Sequence, residues 1–283
     1  LGHFLCTEIF FDYMKILNEQ RATADPKQWA TWKKHIRNMK QTSFKKNVKS
    51  EFKEIWKFNN KSRELDMKWN LVQFENDVYD LEQHKWIGCS REHYTSMTTG
   101  YKRQKRNDKD IKFLYDKVIN RIYPNKQILE CNMIILSTGL EGRCNEKFVV
   151  WMGSGGNGKG VQQKIHLACL GNYGYTASPA LLYNTTKLGK GPCPEFANMD
   201  KKRYVAFAEA DETKTISWAN VKTISGGDVI QGRGLFSKKT QNYNFLTIVM
   251  ESNNELNIDN PTNIHFIRRF MPFHFCLLYT SPS

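Results

Sequence analysis

The sequence predicts an α/β protein, a parallel sheet with helices on both sides, preceded by a smaller mixed and partly helical region. Three observations carry that expectation. Short apolar strands at residues 148–152, 204–208 and 245–250 alternate with helical patterns, the arrangement that buries a parallel sheet. A glycine-rich loop, Gly153-Ser154-Gly155-Gly156-Asn157-Gly158-Lys159-Gly160, follows the first strand and opens a helical run at 161–170. An acidic cluster, Glu209-Ala210-Asp211-Glu212, ends the second strand.

Composition narrows the function classes. Hydrophobic residues are 40% and aromatics 13% of the chain, which excludes a disordered polymer. Lys+Arg 42 against Asp+Glu 28 leaves +14, so the expected partner is polyanionic, nucleic acid before an anionic membrane surface. No apolar run approaches the roughly 18 residues of a spanning helix, and no membrane association is expected. The seven cysteines include no Cys-x-x-Cys pair, which argues against zinc and disulfide scaffolds and fits a reducing compartment. The first six residues hold no basic stretch leading into an apolar core, so no signal peptide is expected. The last eight, 276–283, resemble a translated sequencing adapter and are set outside the fold.

The elements follow in order. Asp25-Pro26-Lys27-Gln28 predicts a helix start, with Asp25 as N-cap and Gln28 closing a capping box. Trp29, Trp32, Ile36 and Met39 then share one face, and Val48, Phe52, Ile55 and Trp56 repeat the pattern. Nine lysines and arginines between them form either solvated faces or a phosphate-tracking surface. Strands 71–74 and 78–81 flank Glu75-Asn76-Asp77, a tight turn. A charged stretch at 102–112 is the expected junction, ahead of a helix carrying Ile111, Leu114, Val118, Ile119 and Ile122. The expected division is therefore 1–110, then 111–275.

The loop's glycines let backbone N–H groups turn inward around phosphate oxygens, and Lys159 reaches the outer phosphates at a helix N-terminus. Gly160 stands where Ser or Thr ordinarily offers a hydroxyl to Mg²⁺. In an extended segment Glu209 and Asp211 project to one face and could hold Mg²⁺. Asn253 or Asn254, after the third strand, could position water, though turn chemistry also explains the pair. Arg268 and Arg269 read either as surface ion pairs or as groups reaching a neighbouring subunit's phosphate.

Taken together these motifs resemble the superfamily 3 helicases, and more closely the poxvirus-type primase–helicases of large DNA viruses and phages. The resemblance spans about residues 69–275. It includes the segment 74–81, the segment 94–101, the Gly-Asn-Gly-Lys core of the loop, and the acidic strand end at Glu209. It also includes 224–236, which in such motors leads into a hairpin gripping DNA, so Arg233, Lys238 and Lys239 are the implied phosphate contacts. The third motif's amide corresponds to Asn253 or Asn254, with Asn253 preferred; the proline common after it is missing. The resemblance implies an AAA+ type P-loop ATPase using ATP and Mg²⁺, assembled as a homo-hexamer around single-stranded or forked DNA in an infected cell. ATP would be held by residues 153–160, Glu209, Asp211 and the asparagine, with Arg268 or Arg269 from the next subunit. A primase region or partner is also implied. The alternatives are a non-hydrolysing DNA-binding ring or loader and, against the 224–236 match, a packaging ATPase.

Overall fold

The computed structural model describes residues 12–13, 15–16, 19–20, 25–59, 65–186, 188, 195, 198–226, 230–232, 240–242, 246–259, 261 and 264–275. The chain divides into two compact units, Leu1–Glu64 and Leu65–Ser283. The charged stretch expected at the junction thus falls inside the second unit.

In the first unit two helices follow one another, α1 (Pro26–Lys40) and α2 (Thr42–Asn59). Proline at the first position starts α1 as expected, but the Asp25 side chain makes no cap hydrogen bond, so the capping box does not form. Trp29, Trp32 and Ile36 are half-buried and Met39 is buried, which matches the expected face. The second stripe behaves differently: Phe52 and Ile55 are 66% and 54% exposed.

The second unit opens with a small antiparallel sheet, β1 (Leu71–Gln73), β2 (Val78–Asp80) and β3 (Lys85–Trp86). Leu71 pairs with Asp80 and Gln73 with Val78. The turn between β1 and β2 closes with Phe74 N–H donating to Asp77 at 2.8 Å. β3 was not anticipated, being only two residues long. Helix α3 (Asp108–Leu114) is capped by Asn107, whose side chain accepts from Lys109 N–H. It runs on through a π turn (Tyr115–Ile119) and a last turn (Asn120–Ile122), burying Ile119 and Ile122. Helix α4 (Lys126–Ser137) is capped by Asn125.

The main sheet comprises β4 (Phe148–Met152), β5 (Gly174–Ala177), β6 (Tyr204–Phe207), β9 (Thr247–Ser252) and β10 (Phe270–His274) in the order β10-β4-β9-β6-β5. Every neighbouring pair is parallel. Each strand is reached by a crossover, as parallel pairing demands. One face, bearing Val149, Trp151, Ala206 and Val249, packs with α3, α4 and helix α5 (Lys159–Leu170). The other, bearing Phe148, Val150, Val205, Ile248 and Met250, packs with helix α6 (Trp218–Ser225) and with Phe266 of α7 (Ile264–Arg269). The expected α/β architecture with helices on both sides is therefore observed. Sequence periodicity missed β5, which lacks a continuous apolar run, and β10, which contains Pro272. That proline is tolerated because β10 is an edge strand.

Between β6 and β9, β7 (Ile230–Gly232) and β8 (Thr240–Asn242) pair antiparallel, Ile230 with Asn242 and Gly232 with Thr240. This is the place of the implied hairpin. Arg233, Lys238 and Lys239 lie outside the described residues, as does the tail 276–283.

Two side chains hold the small sheet to the large one. Arg203, 4% exposed, donates to the carbonyls of Leu140 at 2.5 Å, Leu71 at 2.7 Å and Lys68 at 3.2 Å. Its guanidinium stacks over Tyr173, whose hydroxyl accepts from Gln73 N–H and donates to the Met97 carbonyl. The small sheet is thus built onto the end of the parallel sheet, not tethered ahead of it.

Candidate phosphate-binding site

The carboxyl ends of β4, β9 and β6 stand side by side, and the loop 153–160 starts from β4, at one end of that row. Gly153 has no room for a side chain: a Cβ there would stand 2.1 Å from Asn157 Nδ2 and 2.4 Å from the Phe275 carbonyl oxygen. Gly158 sits at φ 87, in the left-handed region, immediately before α5. No side chain caps α5, so its first N–H groups and the positive end of its dipole face the loop. That is the local structure an anion needs.

Lys159 is 5% exposed, and its ammonium spends its donors locally. It reaches the Gly153 carbonyl at 2.5 Å, Asn157 Oδ1 at 3.1 Å and Asn253 Oδ1 at 3.2 Å. Burial pulls its pKa below the usual lysine value, while Glu251 and Glu209 push it back up. Asn253 in turn donates through Nδ2 to Glu209 Oε1. A polar chain Lys159–Asn253–Glu209 therefore crosses the tips of β4, β9 and β6. Of the two asparagines, Asn253, the one preferred from the sequence, touches Lys159, whereas Asn254 donates to Glu212.

Asp211 is not brought to the loop. β6 ends at Phe207, so the two-residue period that would align Asp211 with Glu209 stops before either acid. Asp211 instead closes a turn, accepting from Thr213 N–H at 3.0 Å and Thr213 Oγ1 at 2.6 Å, with Lys214 Nζ at 3.3 Å. The Thr213 contacts, seconded by Lys214, hold its carboxyl below the usual range. The expected pairing of Asp211 with Glu209 as a joint metal site thus does not assemble.

Another acid takes that place. The third apolar run ends at Met250, but β9 runs to Ser252, so Glu251 is a strand residue. By alternation its side chain lies on the face of Val249, the face covered by α5. It is half-buried, and a Cβ at Gly160 would stand 3.9 Å from Glu251 Oε2. Burial holds its carboxyl above the usual carboxylate range, Lys159 opposing and Glu209 reinforcing. Continuing the alternation past Met250 was the signal that could have found it. Among the described residues no three His, Cys, Asp or Glu side chains are grouped to hold a metal. Glu209 and Glu251, hard oxygen donors beside Lys159, do fit Mg²⁺, which takes one or two carboxylates and completes its shell with phosphate and water.

Arg268 and Arg269 lie at the opposite end of the sheet. They precede Phe270, which pairs with Phe148 at the start of β4, whereas the loop follows Met152. Five strand residues at about 3.3 Å each separate the two ends by roughly 16 Å. Arg268 Nη2 reaches Glu146 at 2.6 Å; Arg269 binds Ser225 Oγ at 3.3 Å and Glu146 at 3.4 Å. Neither serves the loop of its own chain.

Parallel sheet, phosphate loop and strand-end amide define an α/β protein of the P-loop class. Residues 10–124 match the family described as D5 N terminal like. A protein of Acanthamoeba polyphaga mimivirus named as a helicase (L207/L206) is 30% identical over 207 residues, 72% of this chain and 22% of that protein. The fowlpox virus primase D5 is 27% identical over 230 residues, 77% of this chain and 29% of the primase. An uncoating factor of monkeypox virus, OPG117, is 29% identical over 241 residues, covering 78% and 30%. The chain is similar to viral proteins named as a helicase and as a primase, and it spans about a fifth to a third of these relatives' length. Among solved structures, an apo NrS-1 C terminal region aligns with a TM-score of 0.48 at 15% identity, covering 68% of this chain and 44% of that one. No helix among the described residues is long and apolar enough to cross a membrane.

Proposed function

We propose that the second unit is an ATP-dependent nucleic-acid motor, a helicase of superfamily 3 type working in viral genome replication. The observation that carries this reading is the chain Lys159–Asn253–Glu209 across three adjacent strand tips, at the uncapped N-terminus of α5. A γ-phosphate at that point would meet Lys159 and the loop N–H groups, while Glu209, exposed and held by Asn253, would orient and deprotonate an attacking water. Mg²⁺, held by the phosphates and by water beside Glu209, would supply neutralisation of developing charge. Arg268 is the arginine that could serve a neighbouring copy, since Arg269 is nearly buried against Ser225. That role requires an assembly such as the homo-hexamer. The +14 charge, the β7–β8 pair and, by sequence, Arg233, Lys238 and Lys239 between its strands are the parts that would engage DNA. A linked primase is proposed from the name of the fowlpox relative.

A second reading has one observation in its favour. Gly160 offers no hydroxyl and Asp211 is turned away, as in a nucleotide-binding ring that loads DNA without hydrolysis. Magnesium-dependent ATPase activity, measured with and without single-stranded DNA, separates the two. Turnover stimulated by DNA and lost in Lys159→Ala and Glu209→Gln is the expected result. ATP and DNA binding by hexamers with no turnover would leave the loader.

A further inference from the structure

The loop departs from the usual pattern at Gly160, and the fold sets an unassigned acid against that position. Glu251 pairs in register with Trp151, one residue before the end of β4, so it lies beneath the start of the phosphate loop. Its Oε2 is 3.9 Å from where a Cβ at position 160 would be, an ordinary contact distance. A hydroxyl side chain at 160 would therefore point its oxygen into the space this carboxylate borders. Among the described residues the carboxylate has no hydrogen-bond or ion-pair partner, although Lys159 and Lys164 act on it at longer range.

An unpaired carboxylate beside a phosphate loop is a liability without a cation, because it repels the triphosphate that Lys159 attracts. With a divalent cation between them, the same charge becomes attractive. We propose that Glu251 replaces the hydroxyl missing at Gly160, orienting the water shell of the nucleotide's divalent cation and so tying nucleotide affinity to the metal. This rests on the reading of the loop as a nucleotide site. Glu251 is a positioning residue here, not a catalytic one, since it acts on the cation's shell and not on the reacting phosphate.

Opposite effects on two affinities give the proposal its signature. Binding of a fluorescent ATP analogue is measured for the full chain in EDTA and again with Mn²⁺, with the Mn²⁺ spectrum recorded by electron paramagnetic resonance. Glu251→Gln removes the repulsion and keeps the shape, so metal-free binding should tighten by at least about twofold. The enhancement by Mn²⁺ should fall by about tenfold, the usual cost of losing an outer-shell metal partner. Adding Gly160→Ser to Glu251→Gln should restore the enhancement and the wild-type Mn²⁺ spectrum. Parallel weakening of both affinities would mean that Glu251 only supports the fold, and an enhancement within twofold of wild type would mean that it does not sense the cation. Either overturns the proposal while leaving the nucleotide site intact. A wild-type chain that binds no nucleotide in either condition would instead remove the functional reading, and this one with it.

Discussion

At the scale of single residues, the site separates groups that look interchangeable in sequence. Asn253 and Asn254 are adjacent amides, yet only Asn253 bridges Lys159 and Glu209. Asn253→Ala should lower ATP turnover by about 10²-fold, the scale of losing one preorganised polar group at a reacting phosphate, while Asn254→Ala stays within about threefold. Steady-state ATPase assays at saturating nucleotide test this directly. His166 offers a second residue-scale prediction. It packs edge-on against Tyr204 with ring centroids 4.4 Å apart, and its buried Nε2 has no hydrogen-bond partner among the described residues. Burial lowers its pKa from 6.5 to about 4. Between those values the unfolded chain takes up a proton that the folded chain refuses, so stability present at neutral pH is lost as pH falls from 6.5 towards 4. The loss at pH 4.5 should be about 2–3 kcal/mol. Urea melts of the parent and of His166→Phe at pH 7 and 4.5 should differ by that amount in their acid sensitivity. Equal sensitivity would show that His166 is solvated enough to protonate in place.

At the scale of elements, the small antiparallel sheet depends on Arg203 and Tyr173. Arg203 satisfies three backbone carbonyls from two separate loops and from β1, so its removal leaves them without their donor. Each unsatisfied buried acceptor costs about 1–3 kcal/mol, which puts Arg203→Ala at about 3 kcal/mol or more. Tyr173→Phe loses one hydrogen bond to β1 and one to the Met97 carbonyl, and should cost about 1–2 kcal/mol. Denaturant titration gives both values. Protection of the β1 amides from hydrogen exchange should fall first, since the anchors hold that strand. The phosphate loop is a different kind of element, rigid because Gly153 is hemmed in and Asn157 Nδ2 donates to the Phe275 carbonyl at 3.0 Å. A side chain at position 153 should therefore abolish nucleotide binding through displacement of the loop.

At the scale of the whole molecule, the arginines decide whether one chain suffices. Arg268 stands at the far end of the sheet from Lys159, so an assembled site would draw these residues from different copies. Lys159→Ala and Arg268→Ala should each abolish turnover, and mixing the two inactive proteins should restore part of it. Sites in which an intact loop faces an intact Arg268 form only in the mixture. No recovery on mixing, with both variants still assembling, would assign Arg268 to its ion pair with Glu146 alone. The net charge of +14 adds a molecular prediction: affinity for single-stranded DNA should fall steeply with salt, with a log–log slope of about −0.7 per phosphate contacted.

The sequence by itself determined the parts that local chemistry fixes. Apolar runs too short for anything but buried strands placed β4 and β6, Pro26 placed the start of α1, and the glycine spacing with Lys159 placed the phosphate loop. Local pattern was weakest where a residue's meaning depends on what lies across from it. β10 carries a proline, and only its edge position shows why that is harmless. Glu209 and Asp211 share a face only while the chain stays extended, and the strand ends before it reaches them. Glu251 reads as the start of a loop until β9 is paired with β4 and β6 and runs on to Ser252. Strand register and strand length are set by pairing across the sheet, between segments that lie about a hundred residues apart in the chain. Tertiary structure therefore decided that Glu251, and not Asp211, joins Glu209 near Lys159.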